Sequence, residues 1–169
     1  MFNKTLPAQK TKNTGYFNNT DISWIKGVGS VKRYTIFVTN DESNWAIVTV
    51  NGIKHKSSVF GIGAGYEQWA NSYTIPAFLR YQLFIKDIKP SIFEYIDAGY
   101  AFGSAKKDPE EKGRFIFSIG LGTNIKIDKG THISLAFFYK LQHLLVESYN
   151  GDYTTNYNFI GLKVGVAFY

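Results

Sequence analysis

The chain has 169 residues, enough for one domain with a core of its own. It contains no cysteine, which excludes disulfide scaffolds, thiolate zinc sites and cysteine nucleophiles. The formal net charge of +6 comes from scattered lysines and arginines rather than from a block of like charge, so the composition does not indicate a nucleic-acid partner.

The first residues, MFNKTLPAQKTKNT, differ from the rest of the chain. They contain Lys4, Lys10 and Lys12, no acidic residue and little that a core would bury, so we expect residues 1–14 to form a flexible lead-in. They lack the apolar stretch of a secretory signal, and we expect a leader either to have been removed or to lie outside this chain. No apolar run reaches the roughly 18–20 residues of a membrane helix.

Residues 15–169 alternate between apolar and small or polar residues, which is the pattern of β-strands. Eight segments carry this alternation, and most of them are longer than the ~5–6 residues of an average strand. Their length matches the ~9–11 tilted residues that cross a bilayer as a strand. The predicted strands are 15–27, 45–54, 58–69, 73–85, 91–103, 114–127, 131–145 and 157–169.

The connections between these segments alternate in length. Short links at 53–58, 86–90 and 128–131 alternate with long polar links at 28–44, 103–113 and 146–157, and only the short link at 70–72 breaks the rule. Short turns at one end and long loops at the other are typical of up-and-down barrels in outer membranes. The prediction is therefore an all-β domain over residues 15–169, an eight-stranded antiparallel up-and-down transmembrane β-barrel.

Most of these strands have one face of large apolar residues and one face of glycine, small polar or charged residues. The last segment, NFIGLKVGVAFY at 158–169, shows this clearly, because Leu162 and Val164 alternate with Gly161, Lys163 and Gly165. The first two strands are less regular, and in WAIVTVNGI neither face is uniform. The sheet is thus two-sided, and the direction of the apolar side decides the class of protein.

Two orientations are compatible with this alternation. In a soluble barrel the glycine rows would face water, where glycine weakens a strand and gains nothing from packing. In a membrane barrel the large residues face lipid, and inward glycines leave room for longer polar side chains in a narrow interior. We favour the membrane barrel. The residues expected to face lipid are Ile62, Leu79, Tyr81, Phe117, Ile119, Leu135, Phe137, Leu162, Val164 and Phe168.

The inward rows then place acidic and basic residues together in the lumen. Isolated charges are costly in a narrow interior, whereas ion-paired and hydrogen-bonded charges form a network. We expect this network to plug the barrel and to leave no open pore. Its predicted members are Asp21, Glu67, Arg80, Asp97, Lys126, Lys140 and Lys163.

Several segments follow one another in a familiar order and spacing. They include GIGAGYEQW at 61–69, TIPAFLRYQLF at 74–84, DAGYAFG at 97–103, IGLGTNIKI at 119–127 and LAFFYKLQ at 135–142. Together they resemble the small outer-membrane β-barrel domain proteins of Gram-negative bacteria, of the OmpX- and OmpA-like size class. The closing FIGLKVGVAFY is similar to the strand that the barrel-assembly machinery recognises, although here Tyr169 follows the outward aromatic Phe168. The resemblance implies an outer-membrane location and no single activity.

Catalytic and metal-binding patterns are weak. His55, His132 and His143 each lack a second ligand at metal spacing, and no G-x-S-x-G nucleophile elbow occurs. GIGAG at 61–65 matches part of a dinucleotide fingerprint, but strand alternation continues through it where a helix should begin. Asp97 opposite Arg80 is interpreted as a structural ion pair. We therefore expect no catalytic residue, no metal and no cofactor.

These observations favour a non-enzymatic barrel of the bacterial outer membrane, with a polar plugged lumen and a structural or surface-interaction role through its long outer loops. Its expected partners are outer-membrane lipid, the barrel-assembly machinery through the C-terminal strand, and a surface partner at the outer loops. The alternative is a soluble or periplasmic lipocalin-like barrel that carries a small apolar ligand with its aromatic face inward. A barrel enzyme ranks lowest, because the sequence places no Ser, His and acid together at one rim.

Overall fold

The computed structural model describes residues 14–33, 36–69, 72–85, 90–105, 110–147 and 153–169, and within these ranges the chain forms eleven β-strands. No helix in these ranges has the length and apolarity needed to cross a membrane. The strands are β1 Thr14–Val28, β2 Ser30–Arg33, β3 Ile36–Thr39, β4 Ser43–His55, β5 Ser58–Trp69, β6 Ser72–Phe84, β7 Ser91–Phe102, β8 Ser104–Ala105, β9 Glu110–Asp128, β10 Thr131–Glu147 and β11 Tyr153–Phe168.

Eight of the described strands close into an antiparallel barrel. The order around it is β1, β4, β5, β6, β7, β9, β10 and β11, and β11 pairs back with β1. Following the paired residues once around from Asn18 leads back to β1 at Val28, ten residues further along. Such a stagger accompanies a strand tilt of about 35–45°. Closure removes the exposed edges of the sheet, and the predicted fold class is confirmed.

The first described residue, Thr14, and the last residues of the chain lie at the same end of the barrel as the tight turns. Thr14 pairs with His55 beside the turn at 56–57, and Phe168 pairs with Thr131 beside the turn at 129–130. We call this the turn end and the opposite end the loop end. An even number of alternating strands requires this arrangement.

Three strands extend further toward the loop end than predicted. β9 begins at Glu110 rather than at 114, β10 ends at Glu147 rather than at 145, and β11 begins at Tyr153 rather than at 157. Backbone pairing continues through these polar segments, and a ladder of hydrogen bonds does not require apolar alternation. These extensions were not predicted because their side chains lack the apolar alternation by which the other strand residues were identified. The predicted lead-in lies outside the described residues except for Thr14, which begins β1.

A hairpin of β2 and β3 occupies the connection that was predicted as a long loop at 28–44. Gly29 has a φ of +75°, a left-handed conformation that suits glycine, and it turns the chain out of β1. Two hydrogen bonds join the hairpin region to β11. The Thr155 hydroxyl donates to the Lys32 carbonyl at 3.0 Å, and the Asn40 side-chain amide donates to the Asn158 carbonyl at 2.7 Å. It therefore lies over one side of the loop end.

The outer wall of the barrel is apolar. Leu135, Phe137, Val164 and Val166 are 40%, 53%, 50% and 39% exposed, although a soluble carrier would enclose them. Of the ten residues predicted to face lipid, nine are exposed on this wall and Phe117 is half-buried in the same outward row. The lipocalin-like alternative requires the opposite orientation and disagrees with this arrangement.

Four glycines on the inner face each leave space for an aromatic ring. A Cβ on any of these glycines would overlap the ring opposite. We expected the inward glycines to make room for long polar side chains. At these four positions aromatic rings fill the space instead, whereas Gly165 lies against the Asp21 carboxylate. The glycine and ring partners are Gly63 with Phe78, Gly120 with Tyr95, Gly122 with Phe93, and Gly161 with Phe138.

We predict that Gly63→Ala lowers the free energy of unfolding by about 1–3 kcal/mol, because the new methyl group overlaps the Phe78 ring in a packed interior. Urea unfolding of the protein refolded into lipid vesicles measures the change. Gly15→Ala is the matched control, since a Cβ there meets no atom within 4 Å. Equal losses in the two variants would contradict the prediction, and Phe78→Leu should restore part of the loss in Gly63→Ala.

Candidate functional site

An ion pair between neighbouring strands stands in the middle of the lumen. Arg80 on β6 lies directly opposite Asp97 on β7, so the register of the two strands brings the side chains together. The guanidinium donates two parallel hydrogen bonds of 2.7 Å, from Nε to Oδ1 and from the Nη2 nitrogen to Oδ2. The Ser118 hydroxyl donates to the same carboxylate at 3.2 Å. This two-bond geometry is the strongest form of Arg–carboxylate pairing.

A second carboxylate, Asp21 on β1, joins this pair. One of its oxygens lies 3.9 Å from the Arg80 guanidinium and 3.9 Å from the Lys163 ammonium, and the Asn19 amide donates to both of its oxygens at 3.0 Å. Gly165 faces Asp21 across the β1–β11 ladder, and a side chain there would overlap the carboxylate. Asp21, Arg80, Asp97 and Lys163 form the central cluster.

Tyr95 supports the two cations of the central cluster. Its ring centroid lies 4.4 Å from the Arg80 guanidinium carbon and 3.8 Å from the Lys163 ammonium. A cation over an aromatic face gains about 0.5–2 kcal/mol, most where water is excluded. No role was predicted for Tyr95 from the sequence. The feature that could have indicated this role is the inward position of Tyr95, opposite Gly120 in the β7–β9 ladder.

A second ion pair spans the lumen nearer the loop end. Glu67 on β5 and Lys140 on β10 are hydrogen-bonded to each other, and both residues are buried. β5 and β10 stand on opposite sides of the eight-stranded ring, so this pair bridges the full width of the interior. We call it the strut. The Asn44 amide donates to the other Glu67 oxygen at 3.4 Å, which holds the carboxylate in place.

The central cluster and the strut together carry three acidic and three basic groups, so their formal charges balance. A small cavity of about 60 Å³ separates them and is lined by all six. That volume holds a few water molecules and nothing the size of a nutrient. The six side chains thus form one polar region rather than isolated buried charges.

Lys126 lies outside this region, which corrects the prediction for that residue. It has the inward parity of the predicted network, but it lies close to the turn end of β9, where its side chain is exposed. Parity tells which wall face a residue occupies and gives no information about its height along the barrel. The sequence therefore placed Lys126 on the right face at the wrong level.

Aromatic rings gather at the turn end of the lumen. The Tyr169 ring stacks on His132 with centroids 4.2 Å apart, and its centroid lies 5.8 Å from that of Phe17 and 5.3 Å from that of Phe84. The Lys54 ammonium lies over the face of the Tyr169 ring, 3.5 Å from its centroid. The Asn124 amide donates to its hydroxyl at 3.2 Å. Burial raises the pKa of the Tyr169 phenol above its ordinary value, so the ring stays uncharged. The residue beyond the usual terminal aromatic thus fills the turn end.

A second aromatic group lies at the loop end. Trp69 on β5 meets Tyr157 and Phe159 on β11 edge to face, with centroids 5.8 and 5.3 Å apart. All three side chains are buried. The strut stands beside this group, since the Lys140 ammonium lies 5.8 Å from the Phe159 ring. The polar region therefore lies between two aromatic layers.

The histidines have ordinary partners. His55 hydrogen-bonds Thr14 at 2.9 Å, and His143 hydrogen-bonds Asn156 at 2.7 Å. Among the described residues, no three His, Cys, Asp or Glu side chains are grouped as a metal ion would require. Asp97 and Arg80 form the ion pair that the sequence predicted, and the bidentate contact occupies both carboxylate oxygens.

Solved structures of small outer-membrane barrels have the same fold. The crystal structure of Neisserial surface protein A matches with a TM-score of 0.66 and 7% sequence identity, over 92% of this chain and 97% of that chain. The outer membrane protein OprG from Pseudomonas aeruginosa matches with a TM-score of 0.51 and 8% identity, over 90% and 94%. No protein-family model and no curated protein matches the sequence. The resemblance to small outer-membrane barrels is confirmed at the level of the fold.

We predict that Arg80→Leu lowers the free energy of unfolding by about 3–5 kcal/mol, because it leaves the buried Asp97 and Asp21 carboxylates facing one another without their shared partner. Chemical unfolding in vesicles, followed by tryptophan fluorescence, measures the loss. Replacing both partners, Arg80→Leu with Asp97→Leu, should be milder than Arg80→Leu alone. The control Lys126→Leu should change stability little, since Lys126 is exposed. A double variant worse than the single one would contradict the prediction.

Proposed function

We propose that this protein spans the bacterial outer membrane as a closed, non-enzymatic β-barrel that serves a structural or surface-interaction role through its loop end. The observation that carries the proposal is the inversion of the wall: large apolar side chains are exposed outside, and buried ion pairs lie inside. In water this arrangement would expose an apolar belt far larger than the few hundred Å² that soluble monomers tolerate. In lipid it is the arrangement that a spanning barrel requires.

Aromatic side chains at both ends of the apolar wall support a membrane position. Toward the loop end, Trp24 and Trp45 are 70% and 44% exposed, and the Trp45 ring packs against Tyr66 with centroids 5.7 Å apart. Toward the turn end, Phe60 and Tyr81 pack together with centroids 4.9 Å apart. Aromatic girdles of this kind lie at the two membrane–water interfaces of outer-membrane barrels.

The contents of the lumen support a role without transport. Aromatic layers lie at both ends, and the charges between them are satisfied by one another. A pore would need a continuous water-filled path, whereas the cavity between the central cluster and the strut is about 60 Å³. The buried network accordingly determines which walls face one another, and contact with other molecules is left to the outer surfaces of the protein.

The hairpin of β2 and β3 supports a role at the cell surface. Ile36 and Phe37 are 62% and 71% exposed on it, and Lys32 is exposed nearby. Exposed apolar residues on a surface hairpin suit contact with another molecule.

The outward row of β11, which ends at Phe168, is the feature that the barrel-assembly machinery would recognise during insertion.

The location is tested with a single introduced thiol, because the chain has no cysteine. Phe37→Cys on the hairpin should react with a membrane-impermeant maleimide on intact cells. Lys129→Cys, an exposed residue of the turn end, should react only after the outer membrane is permeabilised. Recovery of the protein from the soluble fraction, or equal labelling of both variants on intact cells, would overturn the proposal.

The closed lumen is tested in planar bilayers. The purified protein should show no stable conductance, because the two aromatic layers and the paired charges leave no continuous water path. Tyr169→Ala, which removes the ring at the turn end while the Trp69 layer stays in place, should also remain closed. Large steady currents from the wild-type protein would refute the closed lumen without changing the membrane location.

A further inference from the structure

Three basic side chains line the lumen at the turn end. Lys54 lies near the end of β4, Lys126 near the end of β9 and His132 near the start of β10, and all three have the inward parity of their strands. His132 is paired directly with Lys126 across the β9–β10 ladder, so their Cβ atoms are about 4.5–5.5 Å apart. We call these three residues the basic mouth.

The Tyr169 ring connects Lys54 to the other two residues. The Lys54 ammonium lies over this ring at 3.5 Å from its centroid, and the His132 ring stacks on it with centroids 4.2 Å apart. The same ammonium lies 4.3 Å from the centroid of the Phe84 ring. Aromatic faces attract a cation without neutralising its charge. The rings therefore hold the Lys54 ammonium in place while its charge stays available to a ligand.

The two lysines of the basic mouth have no acidic partner in the part of the chain that the structure describes. No carboxylate lies within 4 Å of either ammonium group, whereas Arg80, Lys140 and Lys163 deeper in the lumen each have one. Asp128, which follows Lys126 on β9, accepts the Lys129 backbone N–H at 2.6 Å. Each ammonium group has three hydrogen-bond donors. The basic mouth thus carries positive charge that the protein does not balance locally.

The basic mouth also has open space and polar atoms without partners. Gly15 is paired with Lys54 across the β1–β4 ladder, and a Cβ on Gly15 would meet no atom within 4 Å. The His132 Nδ1 and Asn124 Oδ1 atoms are buried without a hydrogen-bond partner, and Asn124 is 2% exposed. Lys126 is exposed, so this end of the lumen is accessible from solvent.

We propose that the basic mouth binds a phosphate monoester group, with Lys54 and Lys126 donating hydrogen bonds to its oxygens. Such a group carries a charge of about −1.5 to −2 at neutral pH and three acceptor oxygens, so it balances two ammonium groups, whereas a carboxylate balances one. The site goes beyond the proposed function, because it requires the closed barrel and not a role at the loop end. Soluble phosphate esters and the headgroup of phosphatidic acid both present this group.

Phosphorus NMR of methyl phosphate, titrated with the folded protein in a maltoside detergent, tests the proposal. The wild type is expected to bind one equivalent with a Kd below about 1 mM. Methyl sulfate has the same shape but a single negative charge, and it should displace methyl phosphate only at several-fold higher concentration. Lys54→Met should weaken binding about tenfold. Lys32→Met removes an equal charge from the exposed surface of the β2–β3 hairpin and should leave binding unchanged.

Two substitutions of Gly15 separate the effect of charge from the effect of bulk. Gly15→Glu extends a carboxylate from open space beside Lys54 and should weaken methyl phosphate binding at least about tenfold, because the new group competes for the same ammonium. Gly15→Gln adds the same bulk without the charge and should bind with close to the wild-type affinity. Heat-modifiable gel migration shows that each variant is folded. If Lys54→Met does not fold, the two Gly15 variants decide.

The outcomes distinguish this inference from the proposed function. A folded wild type that shows no saturable binding of methyl phosphate or of phosphatidic acid in mixed micelles overturns the site and leaves the membrane barrel intact. Equal losses in Lys54→Met and Lys32→Met, or in the two Gly15 variants, also overturn the site. Binding of phosphatidic acid without methyl phosphate supports the site and identifies a lipid headgroup as the source. A wild type without a heat-modifiable form overturns the barrel, on which both the site and the proposed function depend.

Discussion

The width of an eight-stranded barrel governs the rest of this structure. Its interior accepts side chains from facing walls only if those side chains do not compete for the same space. Glycines on one strand therefore face rings on the next, as Gly63 faces Phe78 and Gly161 faces Phe138. Most of the large aliphatic residues that these strands also carry have no room inside, although a few such as Ile25 and Ile116 are buried there. The others lie on the outer wall, and this orientation makes the molecule suited to lipid.

The same narrowness explains why the buried charges are tolerated. Each charged group in the central cluster and the strut has an opposite charge within 3.9 Å, and Tyr95 lies against both cations of the cluster. Buried ion pairs contribute little net stability compared with apolar packing, but leaving one partner alone is costly. The network is therefore best understood as a set of constraints on which walls face one another, and it fixes the closed form of the sheet.

The sequence predicted the barrel because alternation assigns every second residue to one face, and six of the seven expected lumen charges lie inside for that reason. The alternation gives no information about the height of a residue along the barrel axis. Lys126 was therefore predicted to lie in the interior, although it lies at the rim. It also carries no information on partners across the lumen. Glu67 and Lys140 are 73 residues apart, and only the stagger of the closed sheet brings them together. The additional paired residues of β9, β10 and β11 were not predicted, because their polar side chains lack the apolar alternation that indicates a strand.

The strut has a mechanical consequence. Glu67 and Lys140 join walls that stand a full diameter apart, and the Arg80–Asp21 contact also reaches across strands that are not neighbours. A ring held only by its neighbours flattens easily into an ellipse when lateral pressure in the bilayer changes, but a rod across the diameter resists that deformation. A force applied at the loop end near Trp69 would thus be transmitted to the opposite wall of the barrel as a rigid displacement.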